Sequence, residues 1–111
     1  MTDNNIKLFI AAFCIDHAGE EPARLRKELA AAHLTYIESI MEHILLAGPL
    51  FDSNHEDKKT IGSLLVYKTQ NMEQAQAWLE QDPYYAANIW QSTELRFFRG
   101  AAGDAVGGRA W

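Results

Sequence analysis

Between Leu8 and Ile15 the chain reads Leu-Phe-Ile-Ala-Ala-Phe-Cys-Ile, without one polar side chain. A run this short and this apolar predicts a β-strand buried on both faces, since a strand with one wet face alternates polar with apolar residues. It is well below the roughly 18 to 20 residues that cross a bilayer. The segment Met1 to Asn5 lacks the basic charge that opens a secretory leader. The expectation is therefore a cytoplasmic protein with no membrane partner.

The pattern after this strand changes period. Asp16 to Glu21 breaks the run with Gly19 and acidic residues, and Pro22 stands where a first helical residue would, its missing N–H being no loss there. Leu25, Leu29, Tyr36, Ile40 and Ile44 then recur at helical spacing, a single stripe with His33 in its middle. Leu45 to Leu50 predicts a second strand closed by Gly48-Pro49, Asp52 to Lys59 a polar loop, and Ile61 to Tyr67 a third strand. Asn71 is the expected N-cap of a second helix, with Gln74 three residues on and Met72, Ala75, Trp78 and Leu79 along one face. Pro83 ends that helix, a turn-rich or helical piece runs from Tyr84 to Trp90, and Glu94 to Phe98 supplies a last strand.

The resulting order, βαββαβ without internal repeat, predicts an α+β fold of ferredoxin-like type. Right-handed crossovers put both main helices on one face of a four-stranded antiparallel sheet and leave the other face bare. Because the first strand is apolar throughout, that bare face would be a large exposed patch, and soluble monomers seldom keep one. A two-fold symmetric homodimer, paired through the bare face, is the expected solution. The 111 residues hold one domain, 1–99, followed by a glycine-rich tail, 100–111, that reads as flexible and whose Trp111 could dock on a neighbouring chain.

A formal net charge of -5 without a Lys/Arg cluster argues against a nucleic-acid partner, since such binding rests on clustered cations that release counterions. Cys14 is the only cysteine, so no intrachain disulfide and no cysteine-rich metal site can form, and its place in an apolar run reads as a buried small hydrophobe. His17, His43 and His55 show none of the helical spacing that places two metal ligands on one face. No metal is expected. There is no GxGxxG, no GxxxxGK[ST] and no GxSxG, so dinucleotide binding, P-loop phosphate binding and the common hydrolase elbow have no support, and no cofactor is expected.

Three side chains could carry chemistry. An imidazole at His33, inside an aliphatic stripe, points at the sheet and can act as acid or base near neutral pH, although a hydrogen-bonded packing histidine occupies the same position. Asp82, before Pro83 at the end of a helix, could orient a histidine tautomer, and it is equally suited to cap the segment that follows. The two roles are compatible. Arg26 lies about two turns before His33 on nearly the same face, where it could meet an anionic group of a substrate or simply extend its head into water. Tyr84 and Tyr85 could wall a pocket or serve packing alone.

The order of His33-Leu34, Ala47-Gly48-Pro49-Leu50, Gly62-Ser63, Ala75-Gln76-Ala77-Trp78 and Asp82-Pro83-Tyr84 resembles the YciI-like, or YCII-related, family over roughly residues 6 to 99. The resemblance implies a dimeric ferredoxin-like fold, a dimeric α+β barrel, with a histidine and an aspartate at the site that match His33 and Asp82. It departs at Ala30, where many members carry an arginine one turn before the histidine. By this resemblance Gly48, Pro49 and Ser63 shape or line the cleft. The implied activity is that of a small lyase or isomerase, dehydrochlorinase-like, in which His33 shuttles a proton on a cyclic or hydroxylated metabolite. The alternative is a non-catalytic dimer that uses the same cleft to bind a small ligand.

Overall fold

A computed structural model describes residues 7–109; Trp111, a candidate to dock on a neighbouring chain, lies outside them. Strand β1 (Leu8–Asp16) leads to helix α1 (Glu21–Ser39), then come β2 (Ile44–Phe51) and β3 (Thr60–Tyr67). Helices α2 (Met72–Glu80) and α3 (Pro83–Ala86) precede β4 (Trp90–Arg99). The four strands form one antiparallel sheet in the order β2-β3-β1-β4, the ferredoxin-like arrangement.

Register decides which side chains share a face. Ile10, Ala12 and Cys14 of β1 stand opposite Tyr67, Leu65 and Ser63 of β3, and all but Ser63 belong to the core. Leu25, Leu29, Tyr36 and Ile37 of α1, with Ala75 and Leu79 of α2, close over this side of the sheet. Pro22 and Glu21 start α1 as expected, the acid lying favourably in the positive first turn. At α2, Asn71 Oδ1 accepts the Gln74 N–H at 3.1 Å.

The other face of the sheet is bare. Phe13 and Ile15 of β1 are 43% and 44% exposed, Leu46 of β2 is 53% and Phe98 of β4 is 49%, so β1 is buried on one face and not on both. The unbroken apolar run records that both faces repel water, while only one is covered within the chain. The stripe on α1 also ends earlier than its period suggests. Ile40 is the C-cap and Ile44 already begins β2, with a 3₁₀ turn (Met41–His43) between them. Both still reach the core, which is why the apolar spacing ran on past the helix.

The tail forms a small unit of its own. Ala102–Gly103 (β5) pairs antiparallel with Gly108–Arg109 (β6) around a 3₁₀ turn. A Cβ on Gly100 would lie 3.0 Å from Val106 and 3.2 Å from Phe9, so glycine there lets the tail fold back against the start of β1. Among the described residues, no helix is long and apolar enough to cross a membrane.

Candidate functional site

A cavity of about 310 Å³ opens between α1 and the β2–β3 half of the sheet, at the small end of the range for ligand sites. Its α1 wall is Arg26, Ala30, His33, Leu34 and Ile37; Ala47, Gly48 and Pro49 of β2, Ser63 and Leu65 of β3, and Tyr84 complete it. The register explains the wall. Ala47 pairs with Leu65 and Pro49 with Ser63, which sets these side chains on the helix side. Gly48 pairs with Leu64 of the bare face, and contributes backbone alone. Small residues on β2 and at Ala30 leave the space.

His33 and Asp82, distant in sequence, meet here. Their Nδ1 and Oδ1 atoms are 2.9 Å apart. An ionised carboxylate only accepts, so Nδ1 is the donor, and in the neutral imidazole Nε2 then keeps its lone pair. Asp82 is held by its local role: it is the N-cap of α3, and the same Oδ1 accepts the Tyr84 N–H at 2.9 Å. Cap and histidine partner are thus one atom. Asp82 is 1% exposed, and its Oδ2 is buried without a hydrogen-bond partner.

Tyr84 stacks on His33 with ring centroids 4.0 Å apart and planes 3° from parallel. Burial pushes its phenol up, a shift that Arg26 opposes and that Asp82 and Asp16 reinforce. The Tyr84 hydroxyl donates to the Arg26 carbonyl at 3.3 Å, and the Arg26 guanidinium carbon lies 5.1 Å from the Tyr84 ring centroid.

Arg26 is not the solvated side chain that its helical position allowed. Its Nε donates to Asp16 Oδ2 at 2.9 Å and its Nη2 to Asp16 Oδ1 at 2.8 Å, while Nη2 also donates to Ser63 Oγ at 3.0 Å. The ion pair is sheltered, with side chains 13% and 5% exposed. The sequence marks Asp16 only as the break after the first strand, not as a site residue. Its one signal was a carboxylate ending an apolar strand two residues after a core position, which alternation aims at the helices.

Cys14, fully buried beside this network, has its thiol pushed up to about 12, chiefly by burial and then by the Asp82 charge. It is inert at neutral pH. Tyr85 is partly exposed and outside the cavity wall. No group of three or more His, Cys, Asp or Glu side chains that could hold a metal ion occurs among the described residues.

Fold and site together define a ferredoxin-like α+β domain in which a buried aspartate meets a half-buried histidine beside a small, mostly apolar cavity. The chain belongs to the YCII-related domain family, which matches residues 8–99. It is 30% identical over 90 residues to Protein YciI of Escherichia coli O6:H1, covering 75% of this chain and 92% of that protein. An uncharacterised protein of Haemophilus influenzae is 28% identical over 89 residues, 74% of this chain and 91% of its own length. Among solved structures, the fold is similar to 5-chloro-2-hydroxyhydroquinone dehydrochlorinase (TftG) from Burkholderia phenoliruptrix in complex with 2,5-dihydroxybenzoquinone, with a TM-score of 0.72 and 22% identity over 86% of this chain and 96% of that one.

Proposed function

We propose that the chain is a small-molecule enzyme of lyase or isomerase type that moves a proton at His33 on a cyclic or hydroxylated metabolite. The observation that carries this reading is the 2.9 Å contact between His33 Nδ1 and Asp82 Oδ1 at the wall of the cavity. With Nδ1–H committed to the carboxylate, Nε2 is the base. It takes a proton from a carbon or hydroxyl of the substrate, and Asp82 stabilises the imidazolium that forms. The electron pair left behind either expels a leaving group, giving a double bond, or accepts the same proton back at another atom.

Two donors suit the oxygen on which charge develops. Ser63 Oγ accepts from Arg26, which leaves its own O–H to donate, and Arg26 Nη1 is not engaged by Asp16 or Ser63. Gly48 and Pro49 bound the opposite side. The dehydrochlorinase with a similar fold performs, by its name, an elimination of this type.

The same reading has two copies paired through the bare sheet face, supported by the exposure of Phe13, Ile15, Leu46 and Phe98 on one surface. Light scattering at micromolar concentration would then give twice the chain mass, and a monomer mass would remove the pairing.

The function is tested in deuterated buffer with a panel of hydroxylated cyclic ketones and quinols. The expected result is protein-dependent exchange of carbon-bound hydrogen, absent in His33→Ala and slowed in Asp82→Asn, with both variants still folded. Binding without exchange would replace the enzyme by a small-ligand receptor. Exchange that survives in His33→Ala would remove the mechanism.

A further inference from the structure

We propose that Asp16 sets the ligand selectivity of this cavity: by occupying and neutralising Arg26 it commits the site to ligands that offer single hydroxyl or carbonyl oxygens, and turns carboxylates away. The inference rests on the reading of the cavity as a substrate site and adds the class of group admitted there.

An arginine in a substrate cleft ordinarily recruits carboxylates, because two parallel N–H groups match two carboxylate oxygens. Here that fork is already filled from inside the protein. Nε–H and one Nη2 hydrogen bind the two oxygens of Asp16, and the other Nη2 hydrogen goes to Ser63 Oγ. Neither remaining edge presents two free parallel donors, because each includes Nη2 or Nε. The two hydrogens left are both on Nη1 and diverge, so they cannot grip the two oxygens of one carboxylate as a parallel pair.

Charge points the same way. Arg26 and Asp16 cancel, and they do so out of water, where the pair is screened little. Asp82, the other buried carboxylate of the site, is balanced only when His33 is protonated. A carboxylate ligand would therefore enter a cavity with no unpaired cation and with a fixed negative charge behind the base. A hydroxyl or carbonyl oxygen meets Ser63 O–H and Arg26 Nη1 without that repulsion, and the donors gain strength only as charge develops on it.

Asp16 is placed for this role by the sheet. It ends β1 on the helix side, two residues beyond Cys14, whose partner in β3 is Ser63. The three groups Asp16, Arg26 and Ser63 are thus brought together from β1, α1 and β3, and none is a sequence neighbour of another.

The test uses a matched pair of probes, hydroquinone and gentisate, which differ by one ring carboxylate, titrated into the full chain by calorimetry. Wild type should bind hydroquinone at least about tenfold more tightly than gentisate, the scale of one charge-assisted hydrogen bond. Asp16→Asn, which keeps the shape and removes the charge, should tighten gentisate by about tenfold and move hydroquinone less than about threefold. A merely structural role would weaken both probes together. Equal affinities in wild type, or a folded Asp16→Asn that does not gain gentisate, overturn the assignment of Asp16 while leaving the catalytic reading intact. If Asp16→Asn fails to fold, the wild-type comparison decides alone. Binding of neither ring by wild type overturns the small-ring reading of the cavity itself, and this inference with it.

Discussion

Asp82 does two things with one oxygen, and two substitutions separate them. In Asp82→Ala the Tyr84 N–H loses its cap, worth about 1 kcal/mol, and the His33 Nδ1–H loses a charged acceptor, worth about 1.5 to 3 kcal/mol. Removing the buried, unpartnered Oδ2 gives back about 1 kcal/mol. The net loss is about 1.5 to 3 kcal/mol. In Asp82→Asn the amide oxygen can still accept from both Tyr84 N and His33 Nδ1, so the loss should stay near 1 kcal/mol. Urea unfolding followed by fluorescence reads the difference, since Trp78 and Trp90 pack on or within this core. At about 1 to 3 kcal/mol per molar urea, the alanine variant should melt about 0.5 to 3 M below wild type and the asparagine variant closer to it. Two variants within about 0.5 kcal/mol of wild type would refute the assignment of Oδ1 as a shared acceptor. An asparagine variant that unfolds as readily as the alanine one would make the pair structural, whereas a stable asparagine variant with lost exchange activity separates chemistry from packing.

Three further outcomes are expected. A Cβ on Gly62 would stand 2.2 Å from the Cys14 carbonyl oxygen, so Gly62→Ala must push β3 from β1, costing about 1 to 3 kcal/mol by urea melting; a loss below about 0.5 kcal/mol would mean the strands give way freely. The Cys14 thiol is raised from 9.0 to about 12 in the folded chain, so the native state keeps a proton that the unfolded chain releases. Stability is therefore full below about pH 9 and falls by up to about 1.4 kcal/mol per pH unit above it, with Tyr67 and Tyr84, also raised by burial, adding to the fall from about pH 10. Cys14→Ala should show a shallower decline in urea midpoint between about pH 9 and pH 10, and an unchanged slope would contradict the assignment. Phe13→Lys, placed in the bare face, should halve the mass measured by light scattering while leaving the circular dichroism spectrum in place; a mass that stays at two chains would locate the pairing elsewhere.

The architecture was readable because its local signals agree with its tertiary contacts. Pro22 and Asn71 mark helix starts by chemistry that needs no partner, and the structure puts both at helix starts; Pro83, expected to end the second helix, follows the end of α2 at Glu80 and opens α3. The end of α1 was misread for a physical reason: Ile40 and Ile44 both point into the same core, so the apolar period crosses from helix to turn to strand without a break. His33 was legible as an imidazole out of place in an aliphatic stripe. Arg26 was placed on the right face but with the wrong surroundings, because its partner Asp16 sits ten residues away on another element. An ion pair of this kind depends on how α1 lies across the sheet, and nothing in the spacing of either residue records that.

The site owes its geometry to one aromatic ring. Arg26 and His33 are two turns apart on α1, a rise of about 10.5 Å along the axis. Tyr84 lies 4.0 Å from the His33 ring and 5.1 Å from the Arg26 guanidinium carbon, and those two separations nearly fill the rise. The ring therefore acts as a spacer between base and cation. It is fixed there from its own backbone, whose N–H is capped by Asp82, and from its hydroxyl, which bonds the Arg26 carbonyl. Because its π-face favours positive charge, the ring would also support an imidazolium at His33 in the proposed proton transfer. Tyr84→Leu should consequently leave the cavity present and the His33–Asp82 contact free to tilt, so that proton exchange falls while ligand affinity changes little. Loss of both in parallel, with melting unchanged, would instead make Tyr84 a ligand contact.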